Sequence, residues 1–299
     1  MSATVPGSHV DTARRRVPLA AHAHLFTVDV EEYFHAHAVG RGAPPHTWHA
    51  MPSRVEASTD RLLELLAKHE THGTFFMLGL VAERHPRLVR RIVEGGHEVA
   101  SHGHGHQRVA PMNAETFRVD LRRSVRTLED ITGQRVLGFR APGFSIVPGT
   151  EWAFDVLLEE GLVYDSSLFP IRRPGSSYPG CTPAPHYIVR AAGALLELPL
   201  ATTVIAGMRL PAAGGAWLRH LPFGLVRRAF DEHARRGVPG TFYMHPWEID
   251  AEQPVLGGLS WMARWRHYGG TSGMLARVDR LIAAHRFTSI QRALSHGPA

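Results

Sequence analysis

A chain of 299 residues is long enough to bury a full hydrophobic core, as one large α/β domain or as two smaller ones. Apolar residues at 44% and charged residues at 20% are globular proportions, and no apolar run approaches the length of a bilayer-spanning helix. The net charge of +6 is carried almost wholly by arginine, Lys68 being the only lysine. Beyond Arg14–Arg16 no basic run with interleaved aromatics appears, so nucleic acid is not an expected partner, while a weak attraction to anionic glycans or a membrane surface stays open.

Residues 1–20 read as a disordered basic leader, because histidines interrupt the apolar stretch that a signal peptide would need after Arg14–Arg16. With a single cysteine, Cys181, no internal disulfide can form. Both features predict a cytoplasmic protein, with the inner face of the membrane open to it; residues 21–299 are expected to form one domain that includes a C-terminal region from about 200.

In chain order, Leu25–Val30 is an apolar run that ends in Asp29, Glu31 and Glu32. Residues 53–70 predict a helix from the stripe Leu62, Leu63, Leu65 and Leu66. Thr74–Met77 is a second buried strand. A helix from about Gly79 is interrupted at Pro86 and continues to Glu94, where Gly95-Gly96 breaks it. His97–Ala100 is a third strand, and His102-Gly-His-Gly-His106 follows it. Asn113 opens a helix through Ile131; Val136–Phe139 is a strand that leads into Arg140-Ala-Pro-Gly-Phe144. A helix over 150–159 and a short strand over 162–164 lead to Asp165-Ser-Ser167. Residues 169–192 predict a surface excursion, Leu195–Leu198 a strand, and 221–236 an amphipathic helix. Gly240–Met244 is the last clear buried strand, with His245-Pro-Trp-Glu248 at its exit. Residues 257–270 read as loop, 274–285 as helix, and 287–290 as strand. Alternating strands and helices signify parallel βα units.

Functional-looking residues therefore collect at strand exits, where parallel α/β proteins place their chemistry. Two imidazoles four apart, His102 and His106, can grip one cation from a tight loop. A carboxylate from another strand end would make a third ligand and leave a position open, the composition of a hydrolytic metal site. Each part has a plainer reading: Arg140 as an ordinary ion pair, Asp165 as a turn cap, His104 as a bystander, Phe144 and Trp247 as core or pocket wall, and Trp261 and Trp265 as packing for a C-terminal helix.

The segments FTVDVEEYF, TFFMLG, HEVASHGHGH, GFRAPGFS, YDSSLFP, LELPL and FYMHPWEID together resemble the polysaccharide deacetylases with a NodB homology domain, carbohydrate esterase family 4. The likeness is strongest to the branch associated with exopolysaccharide and exosortase loci, and it covers most of residues 26–294. The resemblance implies a distorted (β/α) barrel of seven parallel strands that carries a divalent-metal-dependent de-N-acetylase. The metal it implies is zinc, and the substrate an N-acetylated polysaccharide or oligosaccharide, with peripheral contact to exopolysaccharide assembly machinery. It further implies Asp29 as general base, Glu31 with His102 and His106 as metal ligands, and Arg140 as the residue that holds the base. His245 would be the general acid and Asp165 its orienting partner, with Gly143, Phe144 and Trp247 on the substrate side. The commonest family pattern has adjacent aspartates where this chain has D-x-E, which leaves Glu31 and Glu32 both open as the carboxylate ligand. A small-amide amidohydrolase of the same fold and a non-catalytic glycan-binding relative are the alternatives.

Overall fold

The computed structural model describes residues 11–13, 17, 19, 23–36, 39–40, 42–172 and 175–295. The first strands are β1 (Asp11–Ala13) and β2 (His24–Val30), followed by helix α1 (Val55–Lys68) and β3 (Thr74–Met77). Next come α2 (Gly79–Arg84), α3 (Pro86–Glu94), β4 (Glu98–Ser101), α4 (Ala114–Thr132), β5 (Gly138–Phe139), α5 (Trp152–Glu159) and β6 (Tyr164–Asp165). The second half contributes β7 (His186–Arg190), β8 (Gly193–Glu197), β9 (Thr202–Ile205), β10 (Met208–Pro211), α6 (Ala216–His220), α7 (Phe223–Arg235) and β11 (Thr241–Met244). The described chain ends with α8 (Trp261–Tyr268), α9 (Thr271–Ala284), β12 (Phe287–Thr288) and α10 (Ile290–Ser295).

Local chemistry accounts for most of these boundaries. Asn113 caps α4 by accepting from the Thr116 N–H, and Gly133 ends that helix in the left-handed conformation at φ 66°. Pro86 opens α3 at its first turn, where its missing N–H costs nothing. β2 and β3 are buried along their whole length, and alternate residues serve two cores. Phe26, Val28, Val30, Phe75 and Met77 pack in the main core, with side chains from α1, α3 and α4. Leu25, Phe76, Ala100 and Tyr164 form a second core with Leu196 and Ile290. A strand with apolar neighbours on both faces reads as a continuous hydrophobic run, which is why the sequence shows no strict alternation there.

The strands β8, β6, β5, β4, β3, β2 and β11 pair in that order, and every one of these pairings is parallel. A parallel bridge between Leu200, just past β8, and Thr241 of β11 draws the two edges together. The result is a curled, distorted barrel of seven parallel strands with helices outside, as the family resemblance implies. β7 and β1 extend it as antiparallel edge strands, β12 adds to β2, and β9–β10 is a separate hairpin.

Four local expectations are corrected. Asp11–Ala13, inside the segment expected to be a disordered leader, pairs with β7, whose edge offers it a ladder; residues 1–10 lie outside the described residues. The excursion over 169–192 carries β7. Residues 257–270, expected as loop, contain α8, started by the Ser260 side chain accepting from the Ala263 N–H. The tail continues past β12 into α10.

Polar residues inside the second core are satisfied in pairs. The Tyr164 hydroxyl donates to Glu98 Oε1 at 2.8 Å, while Thr74 Oγ1 and the Gln291 N–H donate to Oε2 at 2.6 and 2.8 Å. Gly138 makes room for this phenol: a Cβ there would lie 1.9 Å from the Tyr164 ring. Asp165 and Glu197 are register partners across β6 and β8, both without exposed surface. Burial, reinforced by the neighbouring Asp165, pushes the Glu197 carboxyl well above its usual range, so the pair shares a proton.

Two outcomes follow for stability. Gly138→Ala should destabilise the fold by about 1–3 kcal/mol through overpacking against Tyr164, measured by urea unfolding. A carboxyl whose pKa is raised on folding binds more protons when folded, so its contribution is complete below the ordinary value of 4.5 and fades as pH rises above it. Glu197→Gln keeps the neutral group at every pH. Its stability relative to wild type should therefore climb between pH 5 and 9, and a flat or falling difference would contradict the shared proton.

Candidate active site

The rim formed by the C-terminal ends of the parallel strands gathers the chemistry. β2 delivers Asp29 from its last turn and Glu31 just beyond it, both buried. Glu32 turns the opposite way: its carboxylate accepts from the Arg54 N–H at 3.0 Å, from the Val55 N–H at 3.3 Å and from the Ser53 hydroxyl, and so holds the start of α1. The two neighbouring acids thus have separate tasks, and Glu31 is the one that faces the rim.

β4 feeds the His102–His106 loop, which is fixed from below. Asp120 of α4 accepts the His104 N–H at 2.8 Å and the Gly105 N–H at 3.1 Å, and the Leu80 and Gly79 N–H groups bond the loop carbonyls. Gly103 (φ 74°) and His106 (φ 55°) adopt the left-handed region that this tight reversal needs. His102 Nδ1 lies 2.8 Å from the Arg140 carbonyl oxygen, so Nδ1 carries the proton and Nε2 is left as a free lone-pair donor. His106 Nε2 stands 2.6 Å from Glu31 Oε2, yet that buried oxygen has no hydrogen-bond partner of acceptable geometry. One donor atom from each of Glu31, His102 and His106 falls within 4.8 Å of the others. Two imidazole nitrogens and a carboxylate oxygen, crowded together, with that oxygen lacking a hydrogen bond, fit a divalent cation. His104 is turned away, 3.9 Å from Glu83.

Arg140, at the exit of β5, has no exposed surface. Its Nη1 donates to Asp29 Oδ1 at 2.6 Å and to Thr27 Oγ1 at 2.7 Å, while Nε and Nη2 bond Ser166, and its guanidinium lies 4.1 Å above the Phe76 ring. His245 leaves β11 with Nε2 3.4 Å from Glu31 Oε1 and 4.0 Å from Asp29 Oδ2. Burial lowers its pKa, but the carboxylates of Glu31, Glu248 and Asp29 outweigh burial and raise it to about 9. Burial would raise Glu31, but the His106 and His245 imidazoles hold it well below the usual range. His102 is pushed down to about 4 by burial, in keeping with a neutral ligand.

Asp165 is not the partner of His245. Its carboxylate is taken by the Ser167 hydroxyl at 2.7 Å and by the Ser167 N–H, and it faces Glu197 across the sheet. Glu248 fills the place expected for it, with Oε2 3.3 Å from His245 Nδ1. It is held in turn by Arg219 of α6, whose Nε donates to Oε1 at 3.0 Å and whose other nitrogens bond the carbonyls of Arg266, His267 and Gly269. Glu248 had a signal, since it lies three residues after His245 in one helical turn. Arg219 had none, because the segment that positions it shows no pattern.

Gly143 and Phe144 line the pocket with successive positive φ values of 61° and 54°. Trp247 lines it too, but not as a sugar platform: His245 and His267 stack on the indole at 5.0 and 4.4 Å, and its Nε1 donates to Glu31 Oε1 at 3.3 Å. His35, which the sequence reading passed over, is buried and stacks on His106 at 5.7 Å, bracing that imidazole.

The family model described as polysaccharide deacetylase matches residues 46–153, and one described as a domain of unknown function (DUF3473) matches 166–295. A peptidoglycan deacetylase of Helicobacter pylori is 34% identical over 113 residues, 38% of this chain and 38% of that protein. A chitooligosaccharide deacetylase of Sinorhizobium fredii is 34% identical over 103 residues, 33% of this chain and 44% of its own length. The chain thus spans less than half of each of these relatives. Among solved structures, a Mycobacterium smegmatis protein described as a polysaccharide deacetylase superposes with a TM-score of 0.61 at 21% identity, covering 94% of this chain and 93% of its own. An allantoinase superposes at 0.63 and 19% identity, covering 98% and 97%, so the fold is common to both kinds of hydrolase. Residues 46–153, which include the strands that carry the imidazole loop, thus match the polysaccharide deacetylase domain model, and the domain of unknown function covers most of the C-terminal half.

Proposed function

We propose that the protein is a metal-dependent hydrolase that removes N-acetyl groups from hexosamine units of a bacterial exopolysaccharide or its precursor. The observation that carries this reading is the placement of Asp29 and His245 on the margin of the Glu31–His102–His106 cluster, each with its own buried counter-charge. Those three residues would hold the cation, for which zinc suits the donor set. When bound, such an ion supplies Lewis acidity, which acidifies water and polarises an acetamide carbonyl.

The chain's own residues supply the proton transfers. Arg140 occupies Asp29 Oδ1, which orients the carboxylate and leaves Oδ2 to take the proton of the attacking water. An amide nitrogen is too basic to leave unprotonated. His245 Nε2, aimed at the pocket because Glu248 holds Nδ1, delivers the proton to the departing amine. The left-handed turn at Gly143 and Phe144 presents backbone beside the reacting carbonyl, where the Gly143 N–H can stabilise developing negative charge. The enclosed space is about 130 Å³, well below the ~300 Å³ at which small-molecule sites begin. It therefore receives an acyl group while the sugar stays outside. No helix among the described residues is long and apolar enough to cross a membrane. A lipid-linked or polymeric substrate would meet the protein at the inner membrane face, beside the assembly machinery.

Metal analysis together with acetate release from N-acetylated glycans tests the reading. A small-amide hydrolase of the same fold would release no acetate, and an inert protein with bound metal would be a glycan-binding relative. His102→Ala and Glu31→Gln should lose metal and activity together, whereas Glu32→Gln should keep the metal and lose only stability. Asp29→Asn and His245→Ala should retain stoichiometric metal while kcat falls by about 10²–10⁴-fold. Metal lost from His245→Ala would overturn its assignment as the acid.

A further inference from the structure

Beside the catalytic pocket lies a groove of about 1290 Å³, larger than the ~300–1,000 Å³ of a single small-molecule site. Its walls come from the β9–β10 hairpin, α6, α8 and the segment around Ile171, all within the region of unknown function. It is continuous with the pocket, because Ala216, Tyr243 and Arg266 line both. Three arginines line it, Arg172, Arg209 (whose Nη1 also donates to Thr202 Oγ1 at 2.9 Å) and Arg266, and no Asp or Glu is among its lining residues. Trp217 and Trp265 supply aromatic surface. Trp265 is braced on one face by His220, stacked at 4.1 Å and 26°, yet stays 54% exposed. An indole fixed from behind and left open in front is a platform for an apolar sugar face, and leaving so much aromatic surface in water requires a reason.

We propose that this groove holds the neighbouring units of an acidic glycan chain, with Arg172, Arg209 and Arg266 meeting its carboxylates and Trp265 stacking on a sugar ring. The proposal rests on the hydrolase reading above and adds the substrate class. The pocket is too small for the sugar that bears the acetyl group, and the groove that continues from it past Ala216, Tyr243 and Arg266 gives that sugar and its neighbours a place to lie. That continuation is cationic and aromatic, which selects an anionic saccharide over a neutral one.

Binding by the full-length Asp29→Asn protein is measured for two ligands of equal length. One is a hyaluronan octasaccharide, which alternates glucuronate with N-acetylglucosamine; the other is the neutral, fully N-acetylated chito-octaose. The acidic ligand should bind at least about tenfold tighter in 50 mM salt, and the advantage should shrink at 200 mM as the charges are screened. On the same background, Arg172→Glu with Arg209→Glu should abolish that preference, and Trp265→Ala should weaken both ligands about tenfold. Equal affinity for the two ligands, or a preference that survives the charge reversal, would overturn the proposal. So would a Trp265-dependent association with phosphatidylglycerol vesicles in the absence of oligosaccharide binding. Acetate release by the wild-type enzyme from both octasaccharides is followed separately. Its absence from both would sink the hydrolase reading, while the binding comparison judges the groove by itself.

Discussion

The rim depends on burying charge that cannot be left alone. Asp29, Glu31 and Arg140 lie almost entirely out of water, and an ion transferred into such surroundings costs several kcal/mol unless it is paired and its remaining hydrogen-bonding positions are filled. Arg140 is answered completely: every guanidinium nitrogen has a partner, and those partners belong to β2 and to the exit of β6. One side chain therefore ties Asp29 of β2 to the exit of β6, two strands that are not adjacent in the sheet. Glu31 is answered less well. It has imidazoles and an indole N–H near it but no guanidinium or ammonium, and one buried oxygen remains without a hydrogen bond. A cation shared with His102 and His106 would remove that deficit, so the electrostatics of the rim and the proposed chemistry call for the same ion.

The site is composite along the chain. Its metal-binding cluster comes from residues before 110, but His245, Glu248 and Arg219 come from the region of unknown function. That region is not an appendage to a finished enzyme. Without β11 the parallel sheet would lack its last strand, and without Arg219 the Glu248 carboxylate would be buried with only the imidazole for company. Arg219 in turn spends its donors on backbone carbonyls at the end of α8. The helix that carries Trp265 is thereby tied to the carboxylate that orients His245.

Much of this was legible in the sequence, for a specific reason. Buried parallel strands appear as short apolar runs, and the residues just past them must lie on one rim, so Asp29, Glu31, His102, His106, Arg140 and His245 could be collected by position alone. What pairs across the sheet could not be read so easily. Asp165 sits at a strand exit like the others, but its neighbour is decided by strand order, and β8 lying beside β6 gives its carboxylate to Ser167 and Glu197. The choice between Glu31 and Glu32 was invisible for a similar reason, since it depends on where α1 starts in space. The helix over Trp261–Tyr268 was missed because its exposed tryptophans break the amphipathic pattern that would have revealed it.

That missing pattern has meaning. A short helix usually repays its formation by burying an apolar stripe, and α8 instead leaves Trp261, Met262 and Trp265 exposed while its terminal carbonyls are held by Arg219. It is stabilised by a buried ionic anchor and not by burial of its aromatic residues. The aromatic surface is thereby freed for a ligand, at the place where the catalytic pocket opens. The two parts of the proposal are thus separated by distance yet joined through one arginine: Arg219 holds the Glu248 carboxylate beside His245 and, through the backbone carbonyls of α8, the helix that carries Trp265 to the groove.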